Sequence, residues 1–296
     1  MIDVNTKLVG LLGYPLGHSL SPLMQNKAFE LTGLNCLYLP IEVENKDYSE
    51  LLSGMKKMNF IGFNVTIPGK IDIMQHLDAI HPLAEKIGSV NTVKIEDGRM
   101  TGYNTDGEGF VSSLVSETKC VVSESSFMLL GAGGACRAIA MTLADKNAKI
   151  IVIANRTFNK AKELSDEIND CIRNCCIPVE LTTEALGQHM PNVDVLVNTT
   201  NIGLSPNVDR TPIDHKLLRK DLLVSDIVYN PIRTRLLREA EKKGCMTLSG
   251  IGMFVNQGAE AFKIWTGIDA PVKDMREIVE EFLLDKQKKY RMGAYD

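Results

Sequence analysis

A short apolar run that ends in closely spaced glycines constrains the fold of this 296-residue chain most. The run Phe127–Leu130 predicts a buried strand, and residues 138–143 show the apolar spacing of a helix. Between them, Gly131 permits a tight turn, Gly133 leaves room for a pyrophosphate, and Gly134 with Ala135 keeps the helix close to the strand. A second strand follows at residues 149–154. This βαβ pattern predicts a dinucleotide whose phosphates lie at the helix N-terminus.

The end of the second predicted strand indicates which dinucleotide is bound. NAD sites usually have a carboxylate there for the ribose 2′-OH, but this chain has Asn155, Arg156 and Thr157. The Arg156 guanidinium and its neutral neighbours suit a 2′-phosphate, which favours NADP. Alternatively, Arg156 is a solvated residue at a helix start that Thr157 caps.

Strands and helices alternate along the rest of the chain. The pattern predicts an α/β unit of about 100 residues at the N-terminus, a usual domain size. Residues 104–117 form a connecting helix, and repeated βα units after it predict a doubly wound parallel sheet of the Rossmann type. The predicted fold class is therefore α/β with two domains.

Composition excludes several function classes. The chain has 33 Lys and Arg against 37 Asp and Glu, a net charge of −4, so it lacks the basic surface of a nucleic-acid-binding protein. No apolar run approaches the ~18 residues of a membrane span, and no signal peptide is recognisable, so a cytoplasmic location is expected. The seven cysteines include no C-x-x-C pair, which argues against a metal site.

One polar motif near the N-terminus, residues 17–21, reads Gly-His-Ser-Leu-Ser. It approaches the nucleophile elbow of serine hydrolases, but Pro15 interrupts the preceding strand and Ser21 replaces the final glycine. Ser21 followed by Pro22 also fits a helix N-cap. As a functional alternative, Ser19 and Ser21 hold a substrate carboxylate or hydroxyl near that helix N-terminus.

Three further polar motifs supply the groups that alcohol dehydrogenation without a metal requires. Strand alternation puts Asn64 and Thr66 on one face, with Val65 and Ile67 on the other, and Lys70 follows as a candidate base. Asn91-Thr92 and residues 104–107, Asn-Thr-Asp-Gly, offer neutral donors and a carboxylate. The simpler interpretations are a solvated Lys70, a turn at Asn91 and a helix cap at Asp106.

In combination these motifs resemble the shikimate dehydrogenase family, including its shikimate/quinate branch, from about Lys7 to Leu284. The resemblance rests on several short segments, namely His18-Ser19-Leu20-Ser21-Pro22, Asn64-Val65-Thr66-Ile67-Pro68, Lys70, Val90-Asn91-Thr92, Asn104-Thr105-Asp106-Gly107, Gly131-Ala132-Gly133-Gly134-Ala135, Asn155-Arg156-Thr157, and Gly252-Met253 with Gln257-Gly258-Ala259.

The resemblance implies roles for particular residues. Lys70 and Asp106 form the catalytic pair and also contact the substrate, while Ser19 and Ser21 hold its carboxylate. The residues expected to bind ring hydroxyls are Asn64, Thr66, Asn91 and Gln257. Those expected at the cofactor are Gly131, Ala132, Gly133, Gly134, Ala135, Asn155, Arg156, Thr157, Thr199, Tyr229, Gly250 and Met253.

The resemblance also implies that the C-terminal helices pack back on the N-terminal domain. Residues 1–106 with 251–296 would then form the substrate domain, and residues 107–250 the NAD(P)-binding domain. The expected activity is reversible, NADP-dependent reduction of 3-dehydroshikimate to shikimate, by a monomer or homodimer. Oxidation of quinate or shikimate with NAD or NADP stays open, as does a non-catalytic NADP-binding regulatory protein.

Overall fold

The computed structural model describes residues 2–17, 19–44 and 48–291. Contacts divide the chain into two compact units. The first unit comprises Met1–Thr105 and Val255–Val279, and the second comprises Asp106–Phe254 and Glu280–Asp296. Within the described residues, no helix is both long and apolar enough to cross a membrane.

The first unit is built around a mixed six-stranded sheet in the order β2-β1-β3-β5-β6-β4. Strands β1, β2 and β3 run parallel, whereas β5 runs antiparallel to both β3 and β6. In chain order the elements are β1 (Lys7–Gly13), α1 (Ser21–Thr32), β2 (Cys36–Glu42), α2 (Tyr48–Lys57), β3 (Phe60–Val65), β4 (Ala79–Ile80), α3 (Pro82–Ile87), β5 (Thr92–Glu96) and β6 (Arg99–Tyr103).

Local sequence explains several boundaries of this unit. Asp97 and Gly98, both with positive φ, form the tight turn between β5 and β6, and an Asp-Gly pair favours this conformation. Helix α1 ends at Gly33, which takes the left-handed conformation. Strand β4 and helix α3 were not predicted, because a strand of two residues and a helix of six carry too little periodicity to be recognised.

The second unit contains a fully parallel six-stranded sheet in the order β12-β11-β10-β7-β8-β9. This is the doubly wound order, so the predicted Rossmann-type fold class is confirmed. Its elements are α4 (Asp106–Thr118), β7 (Ser126–Leu130), α5 (Gly134–Asp145), β8 (Ile150–Asn155), α6 (Phe158–Cys171), β9 (Cys176–Glu180), α7 (Thr183–His189), β10 (Val195–Asn198), β11 (Leu223–Asp226), α8 (Arg235–Lys242) and β12 (Met246–Leu248).

Helices α9 (Gly250–Thr266) and α10 (Val272–Arg291) follow the second sheet. From residue 255 onward, α9 packs on the first unit. The rings of Phe262 and Phe29 lie 5.2 Å apart, and Trp265 Nε1 donates a hydrogen bond to the Val93 carbonyl at 2.9 Å. The return of the C-terminal helix to the N-terminal unit was implied by the family resemblance.

The boundaries of the observed units differ from the predicted domain boundaries at the start of α9 and at the end of α10. Residues 251–254 belong with the second unit, where a Cβ atom on Gly252 would lie 2.0 Å from Ser113 Oγ. The end of α10 also groups there, since Leu284 and Gln287 line a cavity together with Pro206 and Pro231. Residues 292–296 lie outside the described part of the chain. The assignment of substrate and cofactor to the two units stays a prediction.

Candidate active site

Asn64, near the end of β3, lies at the centre of a buried polar network in the first unit. Its side-chain nitrogen donates to the Asn91 carbonyl at 3.0 Å and to Thr92 Oγ1 at 2.9 Å. Its Oδ1 accepts a hydrogen bond from the Tyr38 hydroxyl at 2.7 Å. Both amide hydrogens are therefore used, and only a lone pair of Oδ1 is left for another partner.

Asn91 extends this network to the end of the unit. Its Oδ1 accepts from the Thr105 backbone N–H at 2.8 Å, and its Nδ2 donates to Thr105 Oγ1 at 3.0 Å. Asp106 is the next residue and begins α4, where it is half-buried. The Asn91 amide thus fixes the backbone that leads into Asp106.

Lys70 is half-buried, and its carbonyl accepts a hydrogen bond from the Val90 N–H at 2.8 Å. This bond places the backbone of Lys70 beside the segment that carries Asn91. Thr66 is also half-buried, and its N–H donates to the Leu12 carbonyl at 2.8 Å. Strand alternation would place Ile67 on the same face as the buried Val65, but Ile67 is 74% exposed, because β3 ends at Val65 and the alternation stops there.

Ser19 and Ser21 both lie in the first unit, at the start of α1. Ser21 is the first residue of the helix and does not cap it, since Leu20 takes the N-cap position without a side-chain hydrogen bond. Ser19 Oγ instead accepts from the Ser21 N–H at 3.3 Å. His18 of the same motif lies outside the described residues. Strand β1 ends at Gly13, so no strand runs directly into the motif as a hydrolase elbow requires.

Gln257 lies on the part of α9 that belongs to the first unit and is half-buried there. The next residue, Gly258, accepts a hydrogen bond from Gln25 Nε2 at 2.8 Å through its carbonyl. A Cβ atom on Gly258 would lie 2.3 Å from Met24 Cε, so the glycine allows α9 to approach α1 closely. Gln257 is thereby held on a helix whose position is fixed by α1.

In the second unit, the predicted glycine turn joins β7 to α5. Gly131 has a φ of +113°, and its N–H donates to the Ala154 carbonyl at 2.7 Å. A Cβ atom on Gly131 would lie 2.9 Å from Thr199 Oγ1, whose hydroxyl donates to the Leu130 carbonyl at 2.7 Å. Both the backbone conformation and the close approach of Thr199 therefore require glycine.

The start of α5 has the form of a phosphate-binding site. Gly133 is the N-cap without a side-chain hydrogen bond, and a Cβ atom on Gly133 or Gly134 would meet no other atom within 4 Å. The space that side chains at these two positions would fill is therefore open, and the first N–H groups of the helix carry the positive end of the helix dipole. Ala132 and Ala135 flank this opening and are half-buried. A dinucleotide pyrophosphate fits here.

Asn155 is the last residue of β8, the strand adjacent to β7, and Arg156 and Thr157 follow it. Asn155 Nδ2 donates to the Thr157 carbonyl at 2.9 Å, which fixes the short loop. Arg156 is exposed, and Thr157 takes the N-cap position of α6 without a side-chain capping bond. The guanidinium and the Thr157 hydroxyl can therefore turn toward a ligand phosphate.

Three further predicted cofactor residues lie together in the second unit. The ring of Tyr229 stacks on Phe254 with centroids 4.8 Å apart, and Met253 is the preceding residue of α9. A Cβ atom on Gly250 would lie 2.3 Å from the Ile227 carbonyl oxygen, so this glycine permits close packing of α9 against the segment after β11. Burial raises the pKa of the Tyr229 phenol.

Asp226, at the end of β11, was not among the predicted residues. It is fully buried, and its carboxylate accepts from Asn198 Nδ2 at 2.9 Å, the Val228 N–H at 3.0 Å and the Thr234 hydroxyl at 2.7 Å. These bonds fix both ends of the loop that carries Tyr229. Burial raises the pKa of Asp226 from 3.8 to about 6, although the three donors act in the opposite direction.

The raised pKa gives Asp226 a pH-dependent effect on stability. The stabilising contribution of the group is complete below its unfolded-state pKa of 3.8 and is lost as pH rises through about 6. Wild type should therefore lose about 3 kcal/mol relative to Asp226→Asn between these pH values, because asparagine does not titrate. Urea unfolding of both proteins from pH 4 to pH 7 measures this difference.

Asp221→Asn serves as the matched control for that titration. Asp221 is exposed, and a hydrogen bond from Arg219 lowers its pKa, so its contribution is lost as pH falls rather than as pH rises. If the stability difference between Asp226→Asn and wild type does not change with pH, the raised pKa of Asp226 is wrong.

Tyr38 and Asp226 were not identified from the sequence. Only the sequence around Asp226 indicates a buried polar side chain. An acid within the apolar segment Leu222–Val228 is unusual and pointed to a buried, hydrogen-bonded carboxylate. Tyr38 lies in a strand of apolar residues and carries no such signal, since its hydroxyl partners are distant in sequence.

Among the described residues, no group of three or more His, Cys, Asp or Glu side chains could hold a metal ion. The Cys175 and Cys176 sulfurs lie 4.0 Å apart and are buried at the start of β9.

Comparison with known sequence families agrees with this geometry. Residues 11–93 match the profile of the shikimate dehydrogenase substrate binding domain. Residues 113–227 match shikimate / quinate 5-dehydrogenase, and residues 250–280 match the shikimate 5′-dehydrogenase C-terminal domain. The family resemblance drawn from the motifs is confirmed.

The similarity to known proteins covers almost the whole chain. Shikimate dehydrogenase (NADP(+)) from Bacillus cereus (strain ATCC 10987 / NRS 248) is 45% identical over 273 residues, which cover 92% of this chain and 97% of that protein. A crystal structure of shikimate dehydrogenase in complex with NADP+ has a TM-score of 0.87 and 41% identity, with 97% of both chains covered.

A second similar structure contains a different cofactor. Shikimate 5-dehydrogenase from Listeria monocytogenes, solved with shikimate and NAD, has a TM-score of 0.89 and 37% identity, covering 94% of this chain and 98% of that one. Its similarity spans both units described above. By these sequence and structural matches, the chain belongs to the shikimate dehydrogenase family.

Proposed function

We propose that this protein is an NADP-dependent shikimate dehydrogenase that reversibly reduces 3-dehydroshikimate to shikimate. The observation that carries the proposal is the array of neutral hydrogen-bonding side chains around Asn64 and Asn91, connected through Val90 to the backbone of Lys70. Such an array can bind a small polyol, and the lysine can transfer a proton to the carbonyl oxygen of the corresponding ketone. Membership of the shikimate dehydrogenase family supports the same substrate.

The second unit would hold NADP, which supplies the hydride when it is bound. The pyrophosphate would lie against the N–H groups at the start of α5, where Gly133 and Gly134 leave open space. Arg156, with Asn155 and Thr157, would bind the 2′-phosphate through charge-assisted hydrogen bonds. The remaining surface of the cofactor would be lined by Thr199, Gly250, Met253 and the stacked rings of Tyr229 and Phe254.

The first unit would bind the substrate. We assign the carboxylate to the hydroxyls of Ser19 and Ser21, at the start of α1, where the helix dipole favours a negative charge. We assign the ring hydroxyls to Asn64, Thr66, Asn91 and Gln257. Because both amide hydrogens of Asn64 are already used, this side chain would accept a hydrogen bond from a ring hydroxyl.

Lys70 and Asp106 would handle the proton. In the direction of ketone reduction, the Lys70 ammonium would protonate the carbonyl oxygen as negative charge develops on it. The Asp106 carboxylate would orient this oxygen and stabilise the ammonium. In the reverse direction, neutral Lys70 would take the proton of the substrate hydroxyl.

Steady-state oxidation of shikimate and quinate, each with NADP and with NAD, tests the proposal through the absorbance of the reduced nicotinamide. Activity mainly with shikimate and NADP supports the proposed function. Comparable rates with quinate or NAD would assign the protein to the dual-specificity branch. Absence of activity with all four pairs, despite NADP binding, would favour a non-catalytic regulatory protein.

A quinate or shikimate dehydrogenase that accepts NAD is the second candidate. Two observations favour it: the matched central profile is described as shikimate / quinate 5-dehydrogenase, and the Listeria relative was solved with NAD. The loop after β8 also carries no carboxylate, so it is compatible with a free 2′-hydroxyl as well as with a phosphate. Comparison of the KM values for the two cofactors separates the candidates.

Arg156→Ala should weaken NADP binding selectively. Loss of a charge-assisted hydrogen bond to the 2′-phosphate is expected to raise the KM for NADP about 10- to 100-fold, while the KM for NAD changes less than about 3-fold. Initial rates with both cofactors at saturating shikimate measure the effect. Lys149→Ala is the control, because this exposed cation precedes β8 at the opposite end of the strand. Equal changes for NADP and NAD would exclude a 2′-phosphate role for Arg156.

Cytoplasmic location and assembly as a monomer or homodimer stay predictions. We propose no nucleic-acid partner, in keeping with the net charge of −4. Size-exclusion chromatography with light scattering would establish the oligomeric state. Activity confined to shikimate with NADP would place the enzyme in chorismate and aromatic amino acid biosynthesis.

A further inference from the structure

The second unit contains a cavity of about 960 Å³. It is bounded by the loops that follow β10 and β11, by helix α8 and by the end of α10, and all of its wall residues belong to the second unit. None of these residues has been assigned above to the substrate or the cofactor. Pockets for small organic ligands have volumes of about 300 to 1,000 Å³, so this cavity is large enough for one.

Hydrogen bonds hold the backbone around the cavity. The Ser205 N–H donates to the Asn230 carbonyl at 3.0 Å, which joins the loop after β10 to the loop after β11. Thr234, the N-cap of α8, donates its hydroxyl to the buried Asp226 carboxylate at 2.7 Å and thereby attaches this helix to the end of β11. The walls are therefore held by the fold itself, as in a preformed ligand site.

The charged side chains of the cavity are mainly positive. Glu241 forms an ion pair with Arg233, and Lys242 forms one with Glu239 at 3.0 Å. Among the described residues, the other two basic side chains of the wall have no hydrogen-bond or ion-pair partner; they are Arg238 and Lys286. Two uncompensated positive charges in a chain of net charge −4 indicate that the cavity attracts an anion.

The rest of the wall is largely apolar. It includes Pro206, Val208, Pro231, Ile232 and Leu284. Leu284 is 49% exposed although it lines a cavity, so a ligand with an apolar body would remove this side chain from water. An inorganic anion would leave most of this wall uncovered.

Gln287 contributes a hydrogen-bond donor to the same wall. Its Nε2 atom is buried and has no hydrogen-bond partner among the described residues. A buried donor without an acceptor is costly, and an oxygen atom of a bound ligand would satisfy it. The charges, the apolar wall and this donor therefore indicate one kind of ligand.

We propose that this cavity binds a small organic anion with an apolar body, namely a carboxylate or sulfonate carried on hydrocarbon rings. Arg238 and Lys286 bind the charged group, Gln287 donates to one of its oxygens, and Leu284 covers the rings. The cavity adjoins the loops after β10 and β11, whereas the proposed phosphate contacts of the cofactor follow β7 and β8. The inference goes beyond the proposed function and does not depend on it.

Anilinonaphthalene sulfonate is the probe for this site, because it carries one negative charge on aromatic rings and becomes fluorescent when these leave water. Titration of the full chain, with excess NADP present to occupy the dinucleotide site, should show saturable binding. Arg238→Ala should raise the Kd about 10-fold, since a charge-assisted hydrogen bond is lost. Lys243→Ala is the matched control: this exposed cation at the C-cap of α8 does not line the cavity, and its Kd should equal that of wild type.

Two further measurements separate the charge from the apolar contact. Phenylnaphthylamine has the same rings without the sulfonate and should bind at least about 10-fold more weakly. Leu284→Ala should raise the Kd of the sulfonate about 5-fold, because less apolar surface is buried. Since Arg238 and Leu284 are both exposed, we expect both variants to fold, and their urea unfolding midpoints check this.

Three results would each overturn the proposal: absence of saturable fluorescence, equal affinity for the charged and the uncharged probe, or a wild-type Kd in Arg238→Ala or Leu284→Ala. The readout is binding and requires no turnover. If wild type binds the sulfonate as expected but oxidises neither shikimate nor quinate, the proposed function fails while the anion site stands.

Discussion

Lys70→Ala is expected to lower kcat by about 10²- to 10⁴-fold, because it removes the group that we assign to proton transfer. The KM for NADP should change little, since the proposed cofactor residues belong to the second unit and Lys70 to the first. Steady-state kinetics in both reaction directions measures the effect. A kcat within a few-fold of wild type would remove Lys70 from the catalytic role.

Two other lysine variants sharpen this experiment. Lys70→Arg keeps the positive charge, but a guanidinium does not release its proton in proteins, so this variant should also be slow if proton transfer matters. Lys94→Ala is the control for loss of a lysine from the same unit, where its ammonium pairs with Glu96 at 2.7 Å near the surface. We expect Lys94→Ala to retain nearly full activity.

Gly62→Ala is expected to lower the free energy of unfolding of the first unit by about 3 kcal/mol. A Cβ atom at this position in β3 would lie 2.4 Å from the Trp265 ring and 2.4 Å from the Val93 carbonyl oxygen. The indole cannot yield without breaking its hydrogen bond to that same carbonyl. Either α9 must move away from the sheet, or the pairing of β3 with β5 must distort.

Trp265 is the single tryptophan of the chain, so its fluorescence reports directly on this contact during denaturant unfolding. Gly54→Ala is the matched control, since a Cβ atom there, in α2, would meet Met58 Cε at an ordinary 3.6 Å. Alanine in the middle of a helix should stabilise by about 0.5 to 1 kcal/mol, which is the opposite sign. An unchanged unfolding midpoint for Gly62→Ala would contradict the close packing of α9.

The second sheet could be predicted well because its signals are local. The apolar run at Phe127–Leu130, the glycines after it and the repeated βα alternation each lie within a short stretch of sequence. The first unit was harder to predict, since its sheet is mixed and its core includes α9, whose partners are far away in the chain. The spacing of apolar residues identifies a helix or a strand, but it does not show which distant residues that element packs against.

The candidate site shows the same limit at the level of single side chains. Ser21 looked like a helix cap from its neighbours alone, yet Leu20 takes the N-cap position and the Ser21 N–H donates to Ser19 Oγ at 3.3 Å. The Asn64 amide is bound by residues 26 to 28 positions away in the chain. Lys70 and Asp106 were candidates from their own motifs, but their role as a catalytic pair was implied only by the family resemblance, because a lone aspartate or lysine has no distinctive pattern of its own.

The return of α9 to the first unit determines the order in which the protein can complete its folding during synthesis. Phe262 and Trp265 belong to the core of a sheet whose strands end at Tyr103, so this core stays open on one side until α9 has left the ribosome. The second sheet, from Ser126 to Leu248, is complete before that point. The second sheet can therefore form before the core of the first sheet is complete.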